Sequence, residues 1–296
     1  MTHEQADFDA MAAMYAASIL TGAVPVLPRK INKNVHAFIT FFGQEFGFID
    51  PDELPQGPID KVILVDTQSM ITLKGTGKQT RVFVYDHHPL RNQPKEPGMA
   101  SVISNWEINN FGLGATTTFF IEGLQEQGKV LTPLQATFFI LGIYEDTGSL
   151  TFSLTTSRDI RAAAWLLDQG ADLSNVGEYI NPPLNLQQRE IYDHLVANME
   201  VLEINGHQVM LACGETGDSS EEIAILAHKL RDLFDPEAIF VLIKTPDGIR
   251  LVARSSSDQI DVSRIASRFG GGGHSRASAA LIKKDQPEQP SVREVR

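Results

Sequence analysis

Two short apolar runs in the first half of the chain end abruptly at polar residues, and both predict buried strands. Residues 61–65 read Lys-Val-Ile-Leu-Val and stop at Asp66, and residues 82–85 read Val-Phe-Val-Tyr and stop at an Asp-His-His sequence. Continuous β-branched runs are typical of strands buried in a parallel sheet. Aspartate is a poor strand residue, and the carboxyl ends of parallel strands share one edge of a sheet. The pattern therefore predicts a site where the two ends meet.

The remaining pattern predicts an α/β protein with two domains. Up to residue 199 it predicts a strand at 23–27 and helices at 10–20, 35–42, 114–127, 132–144, 157–169 and 186–199. In the second half, turn residues around 205–206 and 246–248 predict two hairpins. The second half is completed by predicted helices at 220–234 and 262–269 and a predicted strand at 277–282.

The predicted fold class is α/β, with a parallel-sheet domain and flanking helices followed by a smaller mixed-sheet α/β domain. We place the first domain at 1–184, a linking helix at 185–200 and the second domain at 201–284. The tail at 285–296 is polar and contains prolines, so we expect it to be disordered.

Composition restricts the compartment and the partner. The chain has 296 residues, of which 42% are hydrophobic and 21% charged, as in ordinary globular proteins. A net charge of -12 disfavours a long open nucleic-acid groove, so we expect either a short or small phosphate substrate or positive charge confined to one cleft. The single cysteine, Cys213, excludes an internal disulfide and predicts a reducing cytoplasm. The sequence contains neither a long apolar span nor a signal peptide, so we expect no membrane contact.

Polar residues at predicted helix ends allow two interpretations. His3, Asp7 and Asp9 stand immediately before the helix predicted at 10–20, and Asp146 ends an apolar helix. Each is explained either as a metal-binding or catalytic group or by ordinary helix-end chemistry, because acids stabilise the first turn and helix ends are often exposed.

Two segments of small residues are suited to phosphate. Gly114-Ala-Thr-Thr-Thr opens a predicted helix, and its N–H groups either bind phosphate or are capped. Gly270 to Gly273 precede His274 and Arg276 and lie between a helix and a strand of one domain. Four glycines pack poorly but let backbone N–H groups approach a ligand closely, so we predict phosphate binding there.

Together these motifs resemble the DHH phosphoesterase family with its carboxy-terminal DHH-associated domain. The motifs, in order, are His3-x-x-x-Asp7-x-Asp9, Asp66-Thr67, Asp86-His87-His88, Asp146-Thr147-Gly148 and Gly270 to His274. The surrounding sequence is most similar to the amino-terminal module of bacterial proteins that continue into CBS domains and a tRNA nucleotidyltransferase or poly(A) polymerase domain. It is also similar to nano-RNase and RecJ-like exonucleases.

The resemblance implies a catalytic first domain with two Mn²⁺ ions and a substrate-binding second domain across a cleft. Mg²⁺ and Co²⁺ are alternatives, because carboxylates and imidazoles suit several divalent ions. It implies that one ion is bound by His3 and Asp7, that the other is bound by Asp9, His87 and Asp146, and that Asp66 bridges both.

The resemblance also implies catalytic and substrate-binding roles. His88 would face the scissile phosphate, Asp66 would act through the ions and Asp86 would orient a histidine. The substrate would be held by Arg254, Gly271, Gly272, Gly273, His274 and Arg276.

The chain departs from the family pattern at two places. Only Met1 and Thr2 precede His3, where the family has a buried strand. Three explanations stay open: the start is misassigned, the sequence is a trimmed piece of a longer chain, or the strand is missing and the sheet has a gap beside the metal site. Ala277-Ser278-Ala279 stands where nano-RNases have Ala-Ala-Gly.

The expected function is a metal-dependent phosphodiesterase that trims short oligonucleotides, RNA above all. One alternative is a hydrolase of small nucleotides, such as a cyclic dinucleotide or phosphoadenosine phosphate. Another is a non-catalytic RNA- or nucleotide-binding module. The expected partner is a short RNA, an oligonucleotide or a small nucleotide, and both a homodimer and continuation into a longer chain remain open.

Overall fold

A computed structural model describes residues 1–69, 73–88, 106–174, 176–217, 223–257 and 259–283, without the side chain of residue 274. The chain divides into a first unit, Met1–Pro182, and a second unit, Pro183–Arg296. The predicted tail at 285–296 and the start of the helix predicted at 220 lie outside the described residues. No helix in the described ranges is both long and apolar enough to cross a bilayer.

The first unit is built on a parallel sheet with flanking helices, as predicted. Its strands are β1 (Lys61–Val65), β2 (Arg81–Asp86) and β3 (Trp106–Asn110), in that order across the sheet. Its helices are α1 (Phe8–Thr21), α2 (Lys33–Phe42), α3 (Thr116–Glu126), α4 (Pro133–Thr147), α5 (Ser157–Asp168) and α6 (Val176–Ile180). The sequence pattern did not predict β3, because Trp-Glu-Ile-Asn-Asn lacks the apolar run of a buried strand.

Close packing of α1 against α4 forms the core of the first unit. Every residue of α1 from Phe8 to Ala17 is buried, and its alanines let α4 approach closely. A Cβ at Gly142 of α4 would lie 2.8 Å from the Cβ of Ala12. This packing brings the first turn of α1 beside the last turn of α4, and both turns carry acids.

The strand predicted at 23–27 is wrong. Only Val26 forms an isolated parallel bridge, with Ile49. Pro25 and Pro28 flank the bridge, and a proline has no N–H with which to extend a ladder. At the start of the chain, the amino group of Met1 donates to the Ile63 carbonyl of β1 at 2.9 Å, so the chain runs from the outer side of β1 into α1.

The second unit contains a separate mixed sheet, also as predicted. Its strands are β4 (Glu200–Ile204), β5 (His207–Glu215), β6 (Ala238–Thr245), β7 (Gly248–Ser255), β8 (Gly272–His274) and β9 (Ala277–Lys283), with the order β4-β5-β6-β7-β9-β8. The helices are α7 (Leu186–Ala197), α8 (Ile223–Phe234) and α9 (Val262–Arg268). Strands β5 and β6 pair in parallel and are connected through α8. Helices α7 and α8 share one apolar cluster with the sheet, and α9 contributes to another.

The glycine run is partly a strand, although the sequence suggested a ligand-binding loop throughout. Gly272 and Gly273 belong to β8, which pairs antiparallel with β9. Gly273 has φ 139°, and a Cβ there would overlap the Ala277 carbonyl oxygen, whereas a Cβ at Gly272 would meet nothing within 4 Å. At Gly273, therefore, packing and conformation alone require glycine.

We expect Gly273→Ala to lower the free energy of unfolding by about 2 to 4 kcal/mol, because the new Cβ must push β8 away from β9 and strains the backbone. The matched change Gly272→Ala should cost less than about 1 kcal/mol. Denaturant unfolding of the full chain measures both values. Equal effects of the two substitutions would contradict this account of the run.

Candidate metal centre

The candidate centre begins at the carboxyl end of β1. Asp66 directly follows β1, and its N–H donates to the Tyr85 carbonyl of β2 at 2.8 Å. Asp66 has a left-handed φ of 56°, which is uncommon for a residue other than glycine. Its side chain is buried. The sheet therefore presents a buried carboxylate at this edge.

Asp9 reaches the same place from the first turn of α1. Its buried carboxylate accepts the Thr116 N–H at Oδ2 (2.7 Å) and the Thr117 N–H at Oδ1 (2.8 Å). These N–H groups open α3, whose N-cap residue, Ala115, provides no side-chain cap. The sequence left open whether this helix start binds phosphate or is capped, and the structure answers that a carboxylate from α1 occupies both N–H groups.

A first cluster of potential ligands contains His3, Asp7 and Asp66. One donor atom of each lies within 4.8 Å of the others, and Nε2 of His3 lies 3.4 Å from Oδ2 of Asp66. Asp7 is also the N-cap of α1 and accepts the Ala10 N–H at 3.0 Å. The helix-cap interpretation is therefore correct for Asp7, and its carboxylate still belongs to the cluster.

A second cluster contains Asp66, His87, His88 and Asp146, again with donor atoms within 4.8 Å of one another. Nε2 of His87 lies 2.9 Å from Oδ2 of Asp146 and 3.5 Å from Oδ1 of Asp66. Asp9 lies at the margin, with its Oδ2 4.0 Å from the same nitrogen. Asp66 is common to both clusters, so one carboxylate links two places that are rich in oxygen and nitrogen donors.

The imidazole of His87 indicates that a cation fits this centre. Its Nδ1 lies 3.2 Å from the Leu113 carbonyl oxygen, and because a carbonyl only accepts, Nδ1 carries the proton. A neutral imidazole then turns the Nε2 lone pair toward carboxylates, which are also acceptors. Among the described residues Nε2 makes no hydrogen bond of good geometry, despite its 2.9 Å approach to Asp146. A second proton or a metal ion resolves this arrangement.

Burial and mutual repulsion change the pKa values at the centre. Burial, followed by the charge of Asp146, raises the pKa of Asp9 to about 7. Burial and the charges of Asp9 and Asp7 raise the pKa of Asp66 well above its ordinary value. For His87, burial opposes the charged form, but the neighbouring carboxylates outweigh it and raise the pKa to about 10. At neutral pH the metal-free centre therefore retains protons where cations would otherwise balance the charge.

Asp86 lies behind the two clusters and contacts His88. Its Oδ1 lies 2.8 Å from Nδ1 of His88, and its Oδ2 accepts the Gln68 side-chain amide at 2.6 Å. Burial alone would raise the pKa of Asp86, but these hydrogen bonds outweigh burial and lower it. Asp86 therefore stays ionised and holds the His88 ring, whose side chain is 41% exposed.

Sequence reasoning missed one half-buried acid beside the centre. Its Oε2 atom, on Glu145, accepts the backbone N–H of Phe8, and Phe8 is the residue between Asp7 and Asp9. Burial and then the charge of Asp7 raise the pKa of Glu145 well above its ordinary value. The only signal in the sequence was its position next to Asp146.

The predicted substrate-binding residues lie at one end of the second sheet. Ala277 is the register partner of Arg254 across β7 and β9 and of His274 across β8 and β9. Arg276 immediately precedes β9 and donates to the Ser256 carbonyl. Arg254 is half-buried, and burial together with the charge of Arg231 lowers its pKa. The side chain of His274 lies outside the described part of the chain.

Comparison with protein families finds a DHHA1 domain at residues 205–294. An A-adding tRNA nucleotidyltransferase from Geobacter sulfurreducens is 34% identical over 289 residues, which are 95% of this chain and 32% of the relative. A cyclic-di-AMP phosphodiesterase from Geobacillus thermodenitrificans is 32% identical over 175 residues, 57% of this chain and 25% of the relative. A bifunctional oligoribonuclease and PAP phosphatase from Thermus thermophilus is 24% identical over 251 residues, which cover 83% of this chain and 72% of the relative. The chain thus spans 32% of the length of the nucleotidyltransferase.

Among solved structures, an exopolyphosphatase-related protein from Bacteroides fragilis aligns with a TM-score of 0.68 at 14% identity, covering 99% of this chain and 87% of that chain. At this identity the similarity concerns the fold alone.

We expect Mn²⁺ to raise the melting temperature more at pH 8 than at pH 5, relative to the same protein in EDTA. Burial raises the pKa of Asp9 from its ordinary value of 3.8 to about 7, so ionising Asp9 costs stability as the pH rises between these two values. The stabilisation from protonated His87 is complete below 6.5 and is lost as pH rises through about 10. Both effects weaken the metal-free protein at higher pH, while deprotonated ligands bind metal better.

Differential scanning calorimetry at pH 5, 6, 7 and 8 measures this difference. Asp66→Asn is the control, because asparagine tolerates the left-handed backbone and lacks the charge. A shift caused by Mn²⁺ that is equal at every pH, or unchanged in Asp66→Asn, would contradict the account of the centre.

Proposed function

Because the chain belongs to the DHH phosphoesterase family and carries a DHHA1 domain in its second unit, we propose that it is a metal-dependent phosphodiesterase that trims short oligonucleotides. RNA is the preferred substrate class in this proposal. One relative is named an oligoribonuclease and PAP phosphatase and another a cyclic-di-AMP phosphodiesterase, so phosphate esters of nucleotides are their common chemistry.

The observation that carries the proposal is the shared position of Asp66 in two clusters of oxygen and nitrogen donors. Carboxylates and imidazoles without thiolates suit Mn²⁺, with Mg²⁺ and Co²⁺ as alternatives. When bound, a pair of divalent ions acidifies a water molecule and neutralises the attacking and leaving oxygens of a phosphodiester. Such a centre needs a carboxylate common to both ions, and Asp66 has this position.

The chain's own residues would divide between the two ions. His3 and Asp7 would hold one ion together with Asp66, and Asp9, His87 and Asp146 would hold the other with the same Asp66. The Leu113 carbonyl fixes the ring of His87 through Nδ1, which presents Nε2 to the ion. The α3 N–H groups fix Asp9 in the same way.

His88 has the role of a phosphate contact in this proposal. Asp86 accepts a hydrogen bond from Nδ1 of His88, which sets the tautomer and the orientation of the ring. A half-exposed imidazole is accessible to a phosphate that arrives from solvent. With Nδ1 held by Asp86, the ring would present Nε2 to the phosphate group of the substrate.

The second unit would hold the phosphates or the terminal nucleotide of the substrate. Arg254 and Arg276 supply positive charge on a chain whose net charge is -12, and Gly271, Gly272, Gly273 and His274 lie at the same end of the sheet. A small positive surface favours a short substrate, because a long strand would meet the acidic remainder of the protein. We assign the reaction to the reducing cytoplasm, since Cys213 is the single cysteine.

Two alternatives keep specific support. Hydrolysis of a cyclic dinucleotide or of phosphoadenosine phosphate requires the same centre, and the names of two relatives describe such substrates. A non-catalytic RNA- or nucleotide-binding module is supported by the coverage of 32% of an A-adding tRNA nucleotidyltransferase. In that case the unit would serve a longer tRNA-processing protein.

We expect the protein with Mn²⁺ to release mononucleotides from RNA of two to five nucleotides, and Asp66→Asn to lower kcat/KM by more than about 100-fold, because removal of a direct ligand exceeds the usual cost of losing an indirect one. Chromatography of reactions with short RNA, short DNA, cyclic dinucleotides and phosphoadenosine phosphate measures release and substrate preference.

Asp168→Asn is the matched control for this assay, since Asp168 is an exposed acid at the end of α5 in the same unit and should leave the rate unchanged. Hydrolysis of a small nucleotide alone would replace the oligonucleotide proposal with its first alternative. Mn²⁺-loaded protein that binds nucleotides and hydrolyses none of the panel would establish the second.

A further inference from the structure

Helix α3 is attached to the centre by two kinds of hydrogen bond from one residue. The Thr116 N–H donates to Oδ2 of Asp9 at 2.7 Å. The Thr116 hydroxyl donates to Oδ1 of Asp66 at 2.9 Å. Thr116 is fully buried, so solvent cannot replace either donor. One threonine therefore connects an acid of α1 with the acid that follows β1.

The two acids that Thr116 contacts repel each other unless something holds them. Both carboxylates are buried, and their charges are close in a low-dielectric surrounding. A hydrogen-bond donor stabilises the ionised form and limits rotation of the carboxylate, and at buried sites such bonds to charged groups contribute more than neutral ones. The α3 start supplies these donors because no side-chain cap of its own uses the first N–H groups.

We propose that Thr116 is a positioning residue, whose hydroxyl fixes the carboxylate of Asp66 in the orientation that serves both ions and so sets the affinity of the centre for divalent metal. This inference rests on the proposed two-ion centre and adds a residue that touches neither ion nor substrate. The backbone N–H of Thr116 survives any substitution except proline, so the hydroxyl is the part that mutation isolates.

A second threonine at the start of α3 supplies a matched control. Thr118 is also buried, lies on the same helix and donates its hydroxyl to a carboxylate, that of Asp159, at 2.6 Å. Asp159 belongs to neither ligand cluster. Instead, it accepts the Thr156 N–H at the start of its own helix, α5, and the Gly114 N–H, and the Gly114 bond attaches the segment before α3 to α5. Thr116 and Thr118 are therefore both buried threonines of α3 whose hydroxyls donate to a carboxylate. They differ in the carboxylate, which is Asp66 for Thr116 and Asp159 for Thr118.

The test compares Thr116→Val, Thr116→Ser and Thr118→Val by calorimetric titration of the full metal-free chain with Mn²⁺. We expect Thr116→Val to weaken Mn²⁺ binding about 10- to 100-fold, as is usual when a group that orients a ligand is lost. Thr116→Ser retains the hydroxyl and should stay within about threefold of the unaltered chain. Thr118→Val should keep the Mn²⁺ affinity and lower the melting temperature in EDTA, because it leaves an acceptor of Asp159 without its donor.

Each outcome decides a separate point. If Thr116→Val binds Mn²⁺ as tightly as the unaltered chain, the inference is overturned. It is also overturned if Thr118→Val loses as much Mn²⁺ affinity as Thr116→Val, because the two substitutions then act by loosening the fold. If Thr116→Val does not fold, Thr116→Ala takes its place against Thr116→Ser. An unaltered chain that binds no Mn²⁺ removes the proposed function together with the inference, whereas normal binding in Thr116→Val removes the inference alone.

Discussion

Repulsion among buried carboxylates is the physical constraint on which the first unit depends. Asp9, Asp66 and Asp146 come from α1, the end of β1 and α4, and their donor atoms converge around His87. Like charges gathered around one imidazole in a low-dielectric surrounding repel strongly. The arrangement is stable only if protons, imidazolium or metal ions supply positive charge. The raised pKa values of Asp9, Asp66 and His87 are the response of the metal-free protein to this constraint.

Packing holds the acids in place against this repulsion. The alanine-rich face of α1 and the close approach at Gly142 bring the first turn of α1 to the last turn of α4. The start of α3 donates its first N–H groups to Asp9 instead of to a local cap. Glu145 accepts the N–H of Phe8 and so binds the α1 backbone between its two acids. Helix ends that ordinarily need small local caps are satisfied here by groups of the centre, which couples its geometry to the fold.

The sequence predicted the elements that a short-range apolar pattern determines. It missed the features that depend on contacts between distant parts of the chain. Strands β1 and β2 were predictable because each is an apolar run. By contrast, β3 is polar, and the segment at 23–27 is interrupted by Pro25 and followed by Pro28, which an apolar pattern does not register. The fold class, the parallel sheet and the separate mixed sheet followed from that pattern. The strand inside the glycine run was not predictable, because close approach to β9 requires glycine for a reason that lies in another strand. The sequence marked the segment that contains Thr116 as a helix start but could not show its partners, since Asp9 and Asp66 are 107 and 50 positions away.

The central claim is that two divalent ions share Asp66, and electron paramagnetic resonance of the Mn²⁺-loaded chain tests it most directly. Ions bridged by one carboxylate are magnetically coupled, so we predict a coupled spectrum at two Mn²⁺ per chain and its loss in Asp66→Asn, with any remaining Mn²⁺ giving the spectrum of an isolated ion. Two uncoupled ions, or a coupled spectrum that survives in Asp66→Asn, would contradict the account.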